Sequence, residues 1–182
     1  MNGSLTVITG CMFSGKTTEL LRLLKRHTIA RQFVQLFKPD TDTRYGRNKV
    51  VTHDRTWLKA TVVSAKDPIH ILDLIAIATT VVGIDEAQFF DLSIAMVCER
   101  MLSKEIDVIV AGLKQDSDGR LFGSMDKLLV MANFITNLTA VCVECGEEAT
   151  MTQWRGNAKT EQVVIGGSDE YTAVCHKHYR RT

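Results

Sequence analysis

Residues Gly10, Cys11, Met12, Phe13, Ser14, Gly15, Lys16 and Thr17 stand directly after an apolar, β-rich run, Leu5–Thr9, and open an amphipathic stretch, Thr17–Ala30. No other feature constrains the fold as much. A strand that runs into G-x4-G-K-[ST] and re-emerges as a helix reads as a phosphate-binding loop. Its glycines let successive backbone N–H groups turn inward on phosphate oxygens, and the helix adds its positive N-terminal end. Lys16 would bridge the β- and γ-phosphates and the Thr17 hydroxyl would ligate Mg²⁺, so ATP and Mg²⁺ are the expected cofactors. Taken without its flanks, the same motif is a glycine-rich turn.

The rest of the chain alternates. Leu20, Leu21, Leu24 and Thr28 share one helical face. Phe33–Pro39 reads as a second strand and Ala60–Val63 as a third, with a long polar loop between them. A helix is expected over Ile69–Thr80, a buried strand in "VVGIDEAQFF", a helix over Leu92–Ser103 and a strand over Asp107–Leu113. Apolar strands alternating with helices predict an α/β fold: a P-loop NTPase-like parallel sheet with helices on both faces. Near Cys142 the periodicity fades into short β-like pieces, "QVVIGG" and "EYTAVC". The expected division is a P-loop ATP-binding domain over 1–140 and a small zinc-ribbon-like module over 141–182.

Asp85 and Glu86 end the central strand. An acid there can hold Mg²⁺, and its neighbour can take a proton from an attacking hydroxyl or water. Cys142-x2-Cys145 and Cys175-x2-His178 are two chelating pairs with 29 residues between them. Two such knuckles close a tetrahedral Cys₃His site suited to structural Zn²⁺; the alternative is cysteines used as small core residues. Arg44 fits a phosphate clamp or a solvated loop charge equally well. Phe89 and Phe90 line a base-sized pocket or belong to the core, and unaided the core is favoured.

Composition narrows the classes. A net charge of +1 over 182 residues gives no polybasic surface for nucleic acid or membrane. "MNGSLTVITG" is no secretory signal, and nothing approaches the roughly 18 apolar residues of a spanning helix. Five cysteines, two standing alone, argue for a reducing, cytoplasmic setting without disulfides.

"GCMFSGKTTEL", "KPDTDTRYG", "THD", "GIDEAQFF", "LTAVCVECGEEA" and "VVIGGSDEYTAVCHKHY" together resemble the type II thymidine kinases, from about Leu5 to Tyr179. The resemblance implies transfer of the ATP γ-phosphoryl group to the 5′-hydroxyl of thymidine. It implies Glu86 as catalytic base, Asp85 as Walker B acid, and Lys16 and Thr17 as phosphate and Mg²⁺ ligands. The 29-residue insert would be a lasso loop that closes over the nucleoside, clamped at its feet by zinc. Met12, Phe89, Leu113, Thr152, Val164 and Tyr171 would border the nucleoside. A homotetramer inhibited by thymidine triphosphate is also implied. The chain departs from the pattern at Cys11, where proline is common, and at Lys114, Ser117, Asp118 and Leu121. The aromatic missing at Ser117 is worth about 1 kcal/mol of packing against a base, so broader or weaker pyrimidine-deoxynucleoside selectivity is expected.

Two other readings use the same motifs. A P-loop ATPase with a nucleic-acid-binding zinc module asks for a basic stripe and stacking aromatics, where Glu144, Glu147, Glu148, Asp169 and Glu170 crowd instead. A nucleotide-binding regulator without catalysis leaves Glu86 without a task.

Overall fold

A computed structural model describes residues 3–42, 49–51, 57–156 and 169–181. The first half holds β1 (Leu5–Gly10), α1 (Lys16–Ile29), β2 (Val34–Pro39), β3 (Lys49–Val51), β4 (Trp57–Lys59), β5 (Thr61–Val63), α2 (Ile71–Leu74) and β6 (Val81–Ile84). Then come α3 (Ile94–Leu102), β7 (Asp107–Gly112), α4 (Met125–Met131) and β8 (Phe134–Leu138). The C-terminal part adds β9 (Ala140–Val141), β10 (Glu148–Ala149), β11 (Met151–Trp154) and β12 (Tyr171–Val174).

Six strands form one sheet in the order β5-β2-β6-β7-β1-β8, and every adjacent pair is parallel. This is the P-loop-like α/β fold that the alternation predicts. Because β7 and β6 lie between β1 and β2, α1 must cross both to connect them. It buries Leu20, Leu21 and Leu24 against Ile8, Leu36, Val81 and Ile109. Each such leucine stabilises the fold by about 2 kcal/mol. The alternate residues of the same strands (Val7, Phe37, Val82, Ile84, Val108, Val110) face a second cluster with α3 and α4. Period-two alternation of strands that are apolar on both sides thus yields a sheet with two dry faces.

Two expectations change, and one strand is new. The Ile69–Thr80 helix shrinks to a 3-10 turn at Pro68–His70 and α2. Gln35 of β2 stops it: its Nε2 donates to the Leu74 carbonyl at 3.0 Å, and its Oε1 accepts from the Ala76 amide at 2.8 Å. A side chain thus replaces the helix's next backbone bonds. The polar loop after β2 is partly packed, since β3 and β4 pair antiparallel and Val50 joins the α1-side cluster. The apolar Val50 and Leu58 supply that packing inside a polar stretch. Finally, Phe134–Leu138 forms the edge strand β8, unmarked by any strict alternation in the sequence.

Gly83 lets α1 sit close on β6. A Cβ there would lie 2.6 Å from Leu24 Cδ1 and 3.0 Å from Leu36 Cδ1. Gly83→Ala is expected to cost about 1–3 kcal/mol by overpacking, read from the urea midpoint. An unchanged midpoint would show that the helix has room to move.

Candidate functional site

At Gly10 a Cβ would come within 2.3 Å of the Leu138 carbonyl oxygen of β8. Glycine is what lets the loop leave β1 there. Gly15, at φ 83°, caps α1 in the left-handed region and accepts from the Glu19 amide at 3.0 Å. Ser14 Oγ and Lys16 Nζ both donate to the Cys11 carbonyl, at 2.8 and 2.7 Å, which closes the loop on itself. The loop is also pinned from the C-terminal module. Cys11 Sγ donates to the Ala149 carbonyl at 3.2 Å, and the Met12 amide donates to Thr152 Oγ1 at 3.0 Å. Burial pushes the Cys11 thiol up, which suits a neutral donor.

The acids follow from the alternation of β6. Val81 and Gly83 face α1 while Val82 and Ile84 face away, so Asp85 emerges on the α1 side. It is buried and accepts from Thr17 Oγ1 at 3.3 and 3.2 Å. The chain then reverses through Glu86 at φ 51° and ψ 42°, a left-handed conformation that non-glycine residues seldom hold. A 3-10 turn, Ala87–Phe89, follows. Gln88 Nε2 donates to Glu86 Oε2 at 2.5 Å, while Gln88 Oε1 accepts from the Leu113 amide at 3.0 Å. The two phenylalanines part company: Phe90 joins the core, and Phe89 meets Phe122 edge-on at 5.6 Å between centroids.

Other expected residues gather at the same end of the sheet. Leu113 follows β7, Thr152 touches the phosphate loop, and Tyr171 packs on Trp154 at 5.0 Å across the β11–β12 pair. Burial raises the Tyr171 hydroxyl, as do the charges of Glu170, Asp116 and Asp118. Arg44 and Val164 lie outside the described residues, as does the "QVVIGG" piece. The unusual 114–121 segment turns on Asp116, whose Oδ1 accepts from the amides of Asp118 and Arg120 at 2.9 Å each. Tyr179 strengthens the turn, its hydroxyl donating to the Ser117 carbonyl at 2.8 Å.

Cys142, Cys145, Cys175 and His178 bring four ligand atoms within 4.8 Å of one another. Cys145 Sγ and Cys175 Sγ are 3.8 Å apart, far beyond a disulfide. That separation is the edge of a tetrahedron with Zn–S bonds of about 2.3 Å. His178 presents Nδ1 at 3.3 Å from Cys175 Sγ and 3.7 Å from Cys142 Sγ. Burial raises the Cys142 thiol, yet backbone N–H groups of Cys175, Glu144 and Cys145 and the His178 ring outweigh it and bring it to about 6. The knuckle closes through the Gly146 amide on the Cys142 carbonyl at 2.8 Å, with Gly146 at φ 76°. The cluster fits zinc.

Sequence reasoning missed three residues. Gln88 reads as part of an apolar run. Lys38, the next-to-last residue of β2, is fully buried, its Nζ donating to the Asp42 carbonyl at 3.2 Å and lying 3.8 Å from Asp42 Oδ2. A lysine inside "FVQLFKP" is the signal that was available. Tyr179 lies beside His178, an expected metal ligand, which hides its separate contact.

A family model for thymidine kinase matches residues 3–179. A thymidine kinase from Porphyromonas gingivalis is 43% identical over 179 residues, covering 98% of this chain and 86% of that relative. One from Rhodothermus sp. is 42% identical, covering 98% and 82%, and one from Bacteroides thetaiotaomicron 41%, covering 98% and 88%.

Protein purified without chelator is expected to carry one zinc per chain by elemental analysis. Cys145→Ala should weaken zinc retention against a competing chelator by more than about 100-fold. Full retention would remove Cys145 from the ligand set.

Proposed function

Since the chain belongs to the thymidine kinase family, we propose that it transfers the γ-phosphoryl group of ATP to the 5′-hydroxyl of thymidine with Glu86 as general base. The observation that carries this reading is the split of the two acids. Asp85 is bound to Thr17 of the phosphate loop, while Glu86 is turned toward Gln88 and, through it, Leu113.

In this mechanism Gly10–Thr17 wrap the phosphates with backbone N–H groups, and Lys16 spans β and γ. Thr17 and Asp85 would hold Mg²⁺, which supplies charge neutralisation at the transferring group. Glu86 takes the proton as the O5′–H bond breaks and O5′ bonds to the γ-phosphorus. The bond from that phosphorus to the β–γ bridging oxygen breaks, and ADP departs with the oxygen. Arg44 adds charge at the phosphates. Met12, Phe89, Leu113, Thr152, Val164 and Tyr171 border the nucleoside, held under the insert whose two feet zinc would clamp. Residues 1–140 act as the ATP-binding domain and 141–182 as the lasso-bearing zinc module.

The family reading extends to thymidine triphosphate as feedback inhibitor and to a cytoplasmic homotetramer. Phe134 and Ile135 on the edge strand β8 are 62% and 55% exposed, which suits burial against another copy. None of the five cysteines is in a disulfide, and no helix among the described residues is long and apolar enough to cross a membrane.

The test is a Mg-ATP assay against thymidine, deoxyuridine and deoxycytidine in parallel. Thymidine monophosphate is expected, with measurable turnover of a second pyrimidine deoxynucleoside because Ser117 replaces an aromatic. Glu86→Gln should lose at least about 100-fold in turnover. ATP binding without transfer to any nucleoside would remove the proposal, and strict thymidine preference would remove its selectivity clause. Light scattering should return a mass near four times 20.3 kDa.

A further inference from the structure

We propose that Gln88 is a positioning residue: it holds one oxygen of the Glu86 carboxylate and ties that orientation to the Leu113 segment. The inference rests on the reading of Glu86 as base.

The hydrogen bonds leave the amide one orientation. The Leu113 amide is a donor only, so the group facing it at 3.0 Å must be the Gln88 carbonyl oxygen. The NH₂ group therefore faces Glu86, and Oε2, at 2.5 Å, must accept. A proton on Oε2 would set donor against donor, so Oε2 is kept as an acceptor and the bond fixes the carboxylate plane. Glu86 sits on a left-handed turn that non-glycine residues seldom hold, and the bond to Gln88 joins its side chain to a buried amide.

The surroundings are shaped around this side chain. Gln88 is 2% exposed. A Cβ at Gly112 would lie 2.9 Å from its Oε1, and one at Gly123 would lie 2.3 Å from its backbone oxygen. Gly112 precedes the Leu113 amide, and Gly123, at φ 56°, follows the Phe122 that meets Phe89. Two glycines and a backbone donor therefore form a socket that a polar plug of no further purpose would not need. Because Leu113 is an expected nucleoside-wall residue, movement of that wall is passed to the base through two bonds.

Gln88→Leu, of similar size, keeps neither bond and should lose about tenfold or more in kcat, while KM for ATP stays within about twofold. Gln88→Glu keeps an acceptor for the Leu113 amide but loses the donor to Glu86, and the same split between kcat and KM is expected. If one variant does not fold, the other decides by that split. With Glu86→Gln inactive in the same assay, an unchanged kcat in either folded variant overturns the role of Gln88 and leaves the base standing. Retained turnover in Glu86→Gln overturns the base reading and this proposal with it.

Discussion

The arrangement depends first on the bond between Thr17 and Asp85. It joins the first turn of α1 to the end of β6, two elements 68 residues apart in sequence. For it to form, α1 must cross β7 and β6, β6 must end on its α1-facing register, and a glycine must let the helix sit close. Moving the register by one residue would put Glu86 on the α1 side and send Asp85 to the other face. Sheet order, register and glycine placement are therefore all conditions on one contact of about 3.2 Å. An acid on a loop could not be held to that tolerance; an acid at the end of a buried central strand can.

From that contact the two acids acquire different surroundings although they are adjacent. Asp85 is buried and bonded to a hydroxyl of the phosphate loop; Glu86, one left-handed residue later, is partly exposed and bonded to an amide. On the proposed mechanism this separation is what keeps one carboxylate for the metal and frees the other for proton transfer. Two carboxylates in one environment would compete for the same cation and raise each other's pKa.

What could be read in the sequence follows from how local the cause is. The phosphate loop, α1 and the apolar strands are set by neighbouring residues, and they were legible as such. So was the Cys₃His set, because chelation leaves a spacing. The early stop of α2 was not legible, since its cause is Gln35, some forty residues upstream on β2. Nor was β8, an edge strand whose exposed Phe134 and Ile135 break the expected in–out alternation. Gln88 and Lys38 were hidden for a related reason. Each is a polar residue inside an apolar run: Gln88 bonds the Leu113 amide beyond another strand, and Lys38 is paired with Asp42 four residues on, in the loop after its own strand. Neither contact leaves a period in the sequence.

The C-terminal module shows why the chain would keep a zinc site so far from its phosphate loop in sequence. Cys11 and Met12 of the loop are each bonded to that module, through Ala149 and Thr152, about 140 residues away. Tyr179, next to the expected zinc ligand His178, is bonded to Ser117 in the segment after β7. A module of two short hairpins has too little apolar surface to hold these three contacts by its own packing. A tetrahedral metal would fix both knuckles at once, and Cys11, Ala149 and Tyr179 share the small cluster around the ligands. The Cys11 thiol makes this loop position one that donates a hydrogen bond, where a proline would only pack. The phosphate loop of this chain is thereby joined to the metal module by one more bond than a proline would allow.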